Sequence, residues 1–298
     1  MRAATKGTLQ VALAAGGWGT WALFLRPAGL PASWTSVLIL SVIALAALAP
    51  ALARRGGRRS LSLWALLALA AATDAGNYVF YFGALSRGPI AVAVLTHYLA
   101  PVVVAALAPL LLREPLGKRT PWSLAASLCG LALIVLGGEG LSGAALPAAL
   151  FGAASALFYG VNTLVSKKLL GPFSSAELLA YHCALAAGLL ALVTHDPLPP
   201  WRAFVWAPLA GALLLGAGGG ALFYAGLRAI PSQRAAVLTY LEPLVAALVG
   251  AVAFGERLGA AGLAGGALIL AGGAAIALAP VEDTEKTLTP GASRAGAP

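Results

Sequence analysis

The feature that most constrains this chain is an internal repeat. The stretch from Tyr81 to Gly137 returns without a gap 142 residues on. Pro89 then meets Pro231, Tyr98 meets Tyr240, Pro101 meets Pro243, Glu114 meets Glu256, Gly117 meets Gly259 and Gly130 meets Gly272. An ungapped match of this length indicates one unit used twice, although the Ala/Leu background inflates the other identities. An earlier pair of segments matches at a shift of 141, Trp18-Gly19 with Tyr159-Gly160 and Arg26 with Lys167.

Composition says where such a unit resides. The chain is 60% hydrophobic and 10% charged, against about 25% charged for a soluble domain. Apolar stretches occupy residues 7–25, 33–53, 61–86, 88–112, 120–137, 143–166, 174–194, 203–228, 231–254 and 258–279. Each is near the length that crosses a hydrocarbon core of about 30 Å. The expected fold is an all-α membrane protein of ten transmembrane helices, with no room for a sizeable soluble domain. Arg2 and Lys6 ahead of the first apolar run imitate a signal peptide, but the spans that follow favour a first membrane helix.

The net charge of +9 lies in the connections, which excludes a nucleic-acid reading. Fifteen of the nineteen Lys and Arg residues fall on one side of the ten-span layout. Arg26, Arg87, Arg202 and Arg257 fall on the other. The positive-inside rule then places both termini in the cytoplasm. Ten spans in two copies give five per copy, and an odd number inserts the second copy upside down. The expected organisation is residues 1–138 and 139–280 as two inverted five-helix repeats around a central cavity, with a disordered cytoplasmic tail over 281–298. Such repeats are the recurrent build of secondary transporters, with the binding site at the midplane. Glu114 and Glu256 sit at turns in matching places and read as charges with a shared structural role.

Several polar residues fall on single helix faces. Asp74, Asn77, Tyr78 and Tyr81 are spaced i, i+3, i+4, i+7. Ser155, Tyr159, Asn162 and Ser166 form a second stripe. Lipid penalises such faces, so they point into the bundle, as a cavity wall or as interhelical hydrogen bonding. Tyr224 is a weaker candidate for the same cavity. Trp18 and Trp21 are either wall or interfacial anchors, whereas Trp201 and Trp206 read as anchors.

His97 and Tyr98 precede Pro101 in mid-span, and Tyr240 and Glu242 flank Pro243 in the same way. Each proline denies a hydrogen bond to the carbonyl four residues back, that of His97 or Thr239. The freed backbone suits a ligand, and the break suits a hinge. Asp74 and Glu242 are carboxyls near span centres, either proton-coupling sites or structural acids. No phosphate-binding loop is present. The run Gly216 to Gly220 reads as close helix packing or local flexibility. The cysteines Cys129 and Cys183, like His97, His182 and His195, lack metal-site spacing. No enzyme activity, cofactor or metal is expected.

The Trp18-Gly19 pair, the Tyr-Leu-x-Pro of residues 98–101 and 240–243, the Glu-x-Leu-Gly turns at 114–117 and 256–259, and the glycines of the fifth and tenth spans together resemble the drug/metabolite transporter superfamily. The resemblance lies in its EamA-type ten-helix branch and covers about residues 7–279. Within the branch the chain is most similar to the YddG-type exporters of aromatic amino acids. The resemblance implies a cavity framed by spans 1, 3, 4, 6, 8 and 9, which leaves His182 of span seven as a packed or peripheral histidine. It implies a monomeric exporter in the cell (inner) membrane whose partners are the bilayer and small molecules, most of all amino acids including aromatic ones. Efflux of cationic drugs, carriage of nucleotide sugars or other metabolites, a pore, and an intramembrane enzyme on lipid-linked substrates are the rival classes.

The charge asymmetry makes a topological prediction. A cysteine introduced as Gly140→Cys, with the native cysteines replaced, should react with an impermeant maleimide from the outside of intact cells. Labelling from the cytoplasmic side alone would refute the ten-span inverted layout.

Overall fold

A computed structural model describes residues 3–25, 28, 30–53, 57–88, 90–136, 145–199, 206–255 and 259–279. Pro89, Glu256, Arg257, Trp201, the 137–144 connection and the tail over 281–298 lie outside the described residues. The described chain is helical, without a strand: α1 Ala3–Trp18, α2 Trp21–Leu25, α3 Ala32–Ala53, α4 Leu61–Leu85, α5 Ile90–His97, α6 Ala100–Leu111, α7 Thr120–Leu136, α8 Ala145–Leu169, α9 Ser175–Val193, α10 Trp206–Gly211, a π-helical segment Ala212–Gly218, α11 Gly219–Ala229, α12 Ser232–Leu238, α13 Leu241–Phe254 and α14 Ala260–Ala277. Helices meet their own backbone hydrogen bonds, which hydrocarbon requires. Eight spans among the described residues are long and apolar enough to cross a membrane, counting α5–α6, α10–α11 and α12–α13 each as one. This is an all-α, multi-pass membrane fold.

Packing runs through four pairs. α4 lies along α8, α1 along α11, α3 along α9 and α7 along α14. Glycines bring the paired backbones close, as small residues do between membrane helices. A Cβ on Gly226 would meet the Gly7 carbonyl oxygen at 2.6 Å and Val11 Cγ2 at 2.7 Å. The π-helical segment places the Leu215 carbonyl where Trp18 Nε1 donates to it at 2.8 Å. Gly219 leaves the room, since a Cβ there would stand 2.8 Å from that same nitrogen.

The proline breaks fall where the sequence puts them, but their backbone chemistry differs from expectation. The interruption lies at Tyr98–Leu99 and again at Thr239–Tyr240. The Thr239 carbonyl is not left free, because the chain tightens and Glu242 N–H donates to it at 3.0 Å. On the other side the carbonyl that gains an outside partner is that of Tyr98, one residue past the expected His97. Val102 N–H turns to Leu99 instead, and the Tyr240 hydroxyl donates to Tyr98 O at 2.9 Å.

One end of the bundle is tied by a polar cluster. The Glu114 carboxylate accepts from Ser232 N–H at 2.7 Å and from the Ser232 hydroxyl at 2.5 Å, and Lys167 Nζ lies 3.7 Å away. Glu114 is 7% exposed, so it is a buried strut rather than a turn charge. It sits at the N-terminus of α12, where the backbone N–H groups favour a carboxylate. Gln233 donates to Glu114 O and Pro115 O and accepts from Gly117 N–H. Arg113 aims the strut by adopting a left-handed φ of 57°, and its repeat counterpart, Gly255, has φ 69°. At the same end Arg59 pairs with Glu177 at 2.7 Å, and Arg228 holds Phe173 O at 2.9 Å.

The α1–α11 contact leaves no space for a larger residue. Gly226→Leu should lower stability by about 1–3 kcal/mol, the usual cost of overpacking, read as a lower melting temperature of the purified protein in detergent. An unchanged melting temperature would mean that the two helices are free to separate.

Candidate functional site

A cavity of about 350 Å³ occupies the middle of the bundle. It extends toward the end that carries Trp21, Leu25 and Thr35, away from the Glu114 cluster. α4 presents Asp74, Asn77, Tyr78, Tyr81 and Phe82 to it, and α8 presents Tyr159, Asn162 and Thr163. Trp18, Trp21, His97, Tyr224 and Glu242 complete most of the polar and aromatic lining. The i, i+3, i+4, i+7 stripe of α4 thus faces one space.

Tyr98 and Tyr240 do not line the cavity. They are 6% and 0% exposed and stand behind it, where Tyr240 stitches α12–α13 to the break before α6. The Tyr98 phenol stands beside the Glu242 carboxyl. Pro101 and Pro243 are buried at the starts of α6 and α13 and act through the breaks they cause. Trp206 is 84% exposed, which suits an anchor.

Three polar groups form a chain across the wall. The Ser155 hydroxyl donates to Asn77 Oδ1 at 2.8 Å and lies 2.7 Å from His97 Nδ1. A hydroxyl has one hydrogen, so His97 Nδ1–H is the donor in the second contact, and the Nε2 lone pair is left available. Rings hold the imidazole in place. Tyr159 stacks on it at 5.5 Å and 3°, Tyr81 lies 4.3 Å away, and Tyr98 meets it edge-on at 5.2 Å. Asn162 is divided between two roles. Its Nδ2 donates to Ala70 O at 2.7 Å, joining α8 to α4, while its side chain still reaches the lining.

Span seven overturns an expectation. His182, read as packed or peripheral, lines the cavity with Leu179 and Cys183, and spans two and seven belong to the frame. His182 Nε2 stands 3.3 Å from Asp74 Oδ2, and Nδ1 lies 2.7 Å from Leu178 O. The missed signal was an ionisable residue in mid-span, the rule that singled out Asp74. The metal expectation also changes. Among the described residues, one ligand atom each from Asp74, His182 and Cys183 all lie within 4.8 Å of one another. Spacing could not show this, because Asp74 comes from another helix.

An aromatic, largely uncharged cavity between broken helices is the arrangement of a carrier for small molecules. The EamA-like transporter family matches over residues 5–136 and 146–278. The chain belongs to the EamA-like transporter family. It is a transport protein and not an enzyme. An "Uncharacterized transporter" of Archaeoglobus fulgidus is 32% identical over 194 residues, 64% of this chain and 68% of that one. One solved crystal structure superposes with a TM-score of 0.79 at 25% identity, covering 91% of this chain and 98% of its own. Its fold is therefore shared nearly end to end.

Ser155 is the member of the polar chain whose removal strands two partners. Ser155→Ala should lower stability by about 1–3 kcal/mol, the cost of leaving buried groups unpaired, and should slow transport by freeing His97. Thermal unfolding and transport in proteoliposomes check the two effects, and a variant normal in both would show that the chain is incidental.

Proposed function

We propose that this EamA-like protein is a secondary exporter of small organic metabolites, amino acids with aromatic ones among them, working by alternating access. The observation that carries this reading is the cavity, where tyrosine and tryptophan rings surround His97 and Asn77 at mid-depth. Rings suit a flat apolar side chain, and the Asn77 amide and the His97 Nε2 suit the charged ends of an amino acid.

The packing supports ten spans in two inverted repeats. Exchanging the halves converts the α4–α8 pair into the α11–α1 pair and returns the α3–α9 and α7–α14 pairs to themselves. The Glu114 cluster lies at the Lys/Arg-rich end, which the positive-inside rule assigns to the cytoplasm. On that assignment the termini are cytoplasmic, the conformer is closed inward, and its cavity faces outward. The breaks before Pro101 and Pro243 serve as hinges. Of the two acids in the wall, Asp74 is engaged by His182. Glu242 has no basic partner among the described residues, so proton coupling is assigned to Glu242, with Tyr98 beside it. A monomer in the cell membrane suffices for this cycle.

A second reading has an observation of its own. Both carboxyls line the cavity, which favours efflux of organic cations. Counterflow in proteoliposomes with radiolabelled amino acids and cationic drugs separates the two. Amino-acid counterflow is expected. Asn77→Ala and Tyr78→Ala should reduce it by roughly 2- to 10-fold, as the loss of about 0.5–1.5 kcal/mol implies, while Trp206→Ala should leave it unchanged. Glu242→Gln should keep counterflow and lose stimulation by a pH gradient. Movement of cations alone would replace the first reading with the second, and no movement of either would refute both.

A further inference from the structure

The substrate reading leaves Asp74, His182 and Cys183 with no joint role. We propose that these three side chains form a binding site for a divalent cation of borderline-soft character, of the Zn²⁺ and Cd²⁺ class, entered from the cavity.

The donor set fits that class. It offers one sulfur, one imidazole nitrogen and one carboxylate oxygen, which soft and borderline cations accept and which Mg²⁺ and Ca²⁺ do not favour as a set. Bond lengths of about 2.0–2.3 Å at tetrahedral angles put neighbouring ligand atoms roughly 3.3–3.6 Å apart. His182 Nε2 lies 3.3 Å from Asp74 Oδ2 and 3.6 Å from Cys183 Sγ. The imidazole is also prepared for ligation. Nδ1 lies 2.7 Å from the Leu178 carbonyl, which holds one ring proton there and leaves Nε2, the atom that faces Asp74, to exchange its proton for a cation. That outer contact is the one metal-bound histidines make.

Cys183 must move a little. Its sulfur is also 3.8 Å from Nδ1, so it rests alongside the ring. A turn about the Cα–Cβ bond swings it toward Asp74, and the cavity that Cys183 borders supplies the space. The fourth position opens on the cavity, where water can occupy it. Binding releases two protons to solvent, that of the thiol and the one that His182 Nε2 directs at Asp74. One carboxylate and one thiolate then neutralise a divalent cation, so no net charge is added to the membrane interior, where it would be costly. The cation bridges α4 and α9 and narrows the space beside Tyr78 and Tyr224. Transport of any substrate through the cavity should therefore fall when the site is filled.

The bland alternative is an ion pair joining α4 to α9, which has no use for the thiol. Titration of the purified, tag-free protein with Cd²⁺ distinguishes the two, read by calorimetry and by the ultraviolet Cd–thiolate absorption band. The expected result is one cation per chain with the band present. Cys183→Ser should remove the band and weaken binding at least tenfold, with an unchanged melting temperature in the absence of metal. Asp74→Asn and His182→Gln should each weaken binding at least tenfold. Cys129→Ser and His195→Ala, whose parent residues are exposed elsewhere, should bind as the parent does, and Mg²⁺ should not compete. No binding, binding without the band, or binding undiminished in Cys183→Ser would leave only the ion pair and overturn the proposal. The titration needs no substrate, so failure of the amino-acid reading would not affect it.

Discussion

A polar atom in hydrocarbon has no water to turn to, and the interior of this protein is arranged around that fact. Ser155 satisfies Asn77 and His97 together. Asn162 satisfies Ala70, Tyr240 satisfies a backbone break, and Trp18 satisfies a π-helical carbonyl. Each bond joins different parts of the bundle, so polar residues in and just behind the cavity wall also hold it together. A substrate exchanged through such a wall meets groups that are already aimed.

The same constraint explains what could be read from sequence. Polar residues spaced along α4 had to face inward, and the prolines had to break two spans, whatever the rest of the fold. Arg113 and Gly255 share a left-handed turn because they occupy matching places in the repeat. These features depend on local covalent geometry or on helical period alone, both of which the sequence carries directly.

What stayed hidden depends on a second helix. His182 gave no stripe, since its neighbours on α9 are apolar, and its partner Asp74 is remote in the chain. Tyr98 and Tyr240 sit at cavity height but turn away from it, a matter of rotation about the helix axis that the proline breaks alter. Ser155 lay on a predicted face, yet its bridging role needs the positions of α4 and α5 at once. The π-helical segment holds the carbonyl that Trp18 of a second helix uses as its acceptor. No periodicity within residues 212–218 announces it.

The Glu114 strut has a consequence for the transport cycle proposed above. It grips Ser232, and Gln233 grips the turn that carries it. The residues that the 142-residue shift sets opposite these two are Ile90 and Ala91, which have no side-chain hydrogen-bonding group. The matching residues therefore cannot supply the hydroxyl and amide bonds that Ser232 and Gln233 make, even though Glu256 repeats the acid in the sequence. The duplication preserved the frame and let its two fastenings diverge. On the alternating-access reading proposed above, the step that frees Ser232 from Glu114 has more side-chain bonds to break than its mirror image.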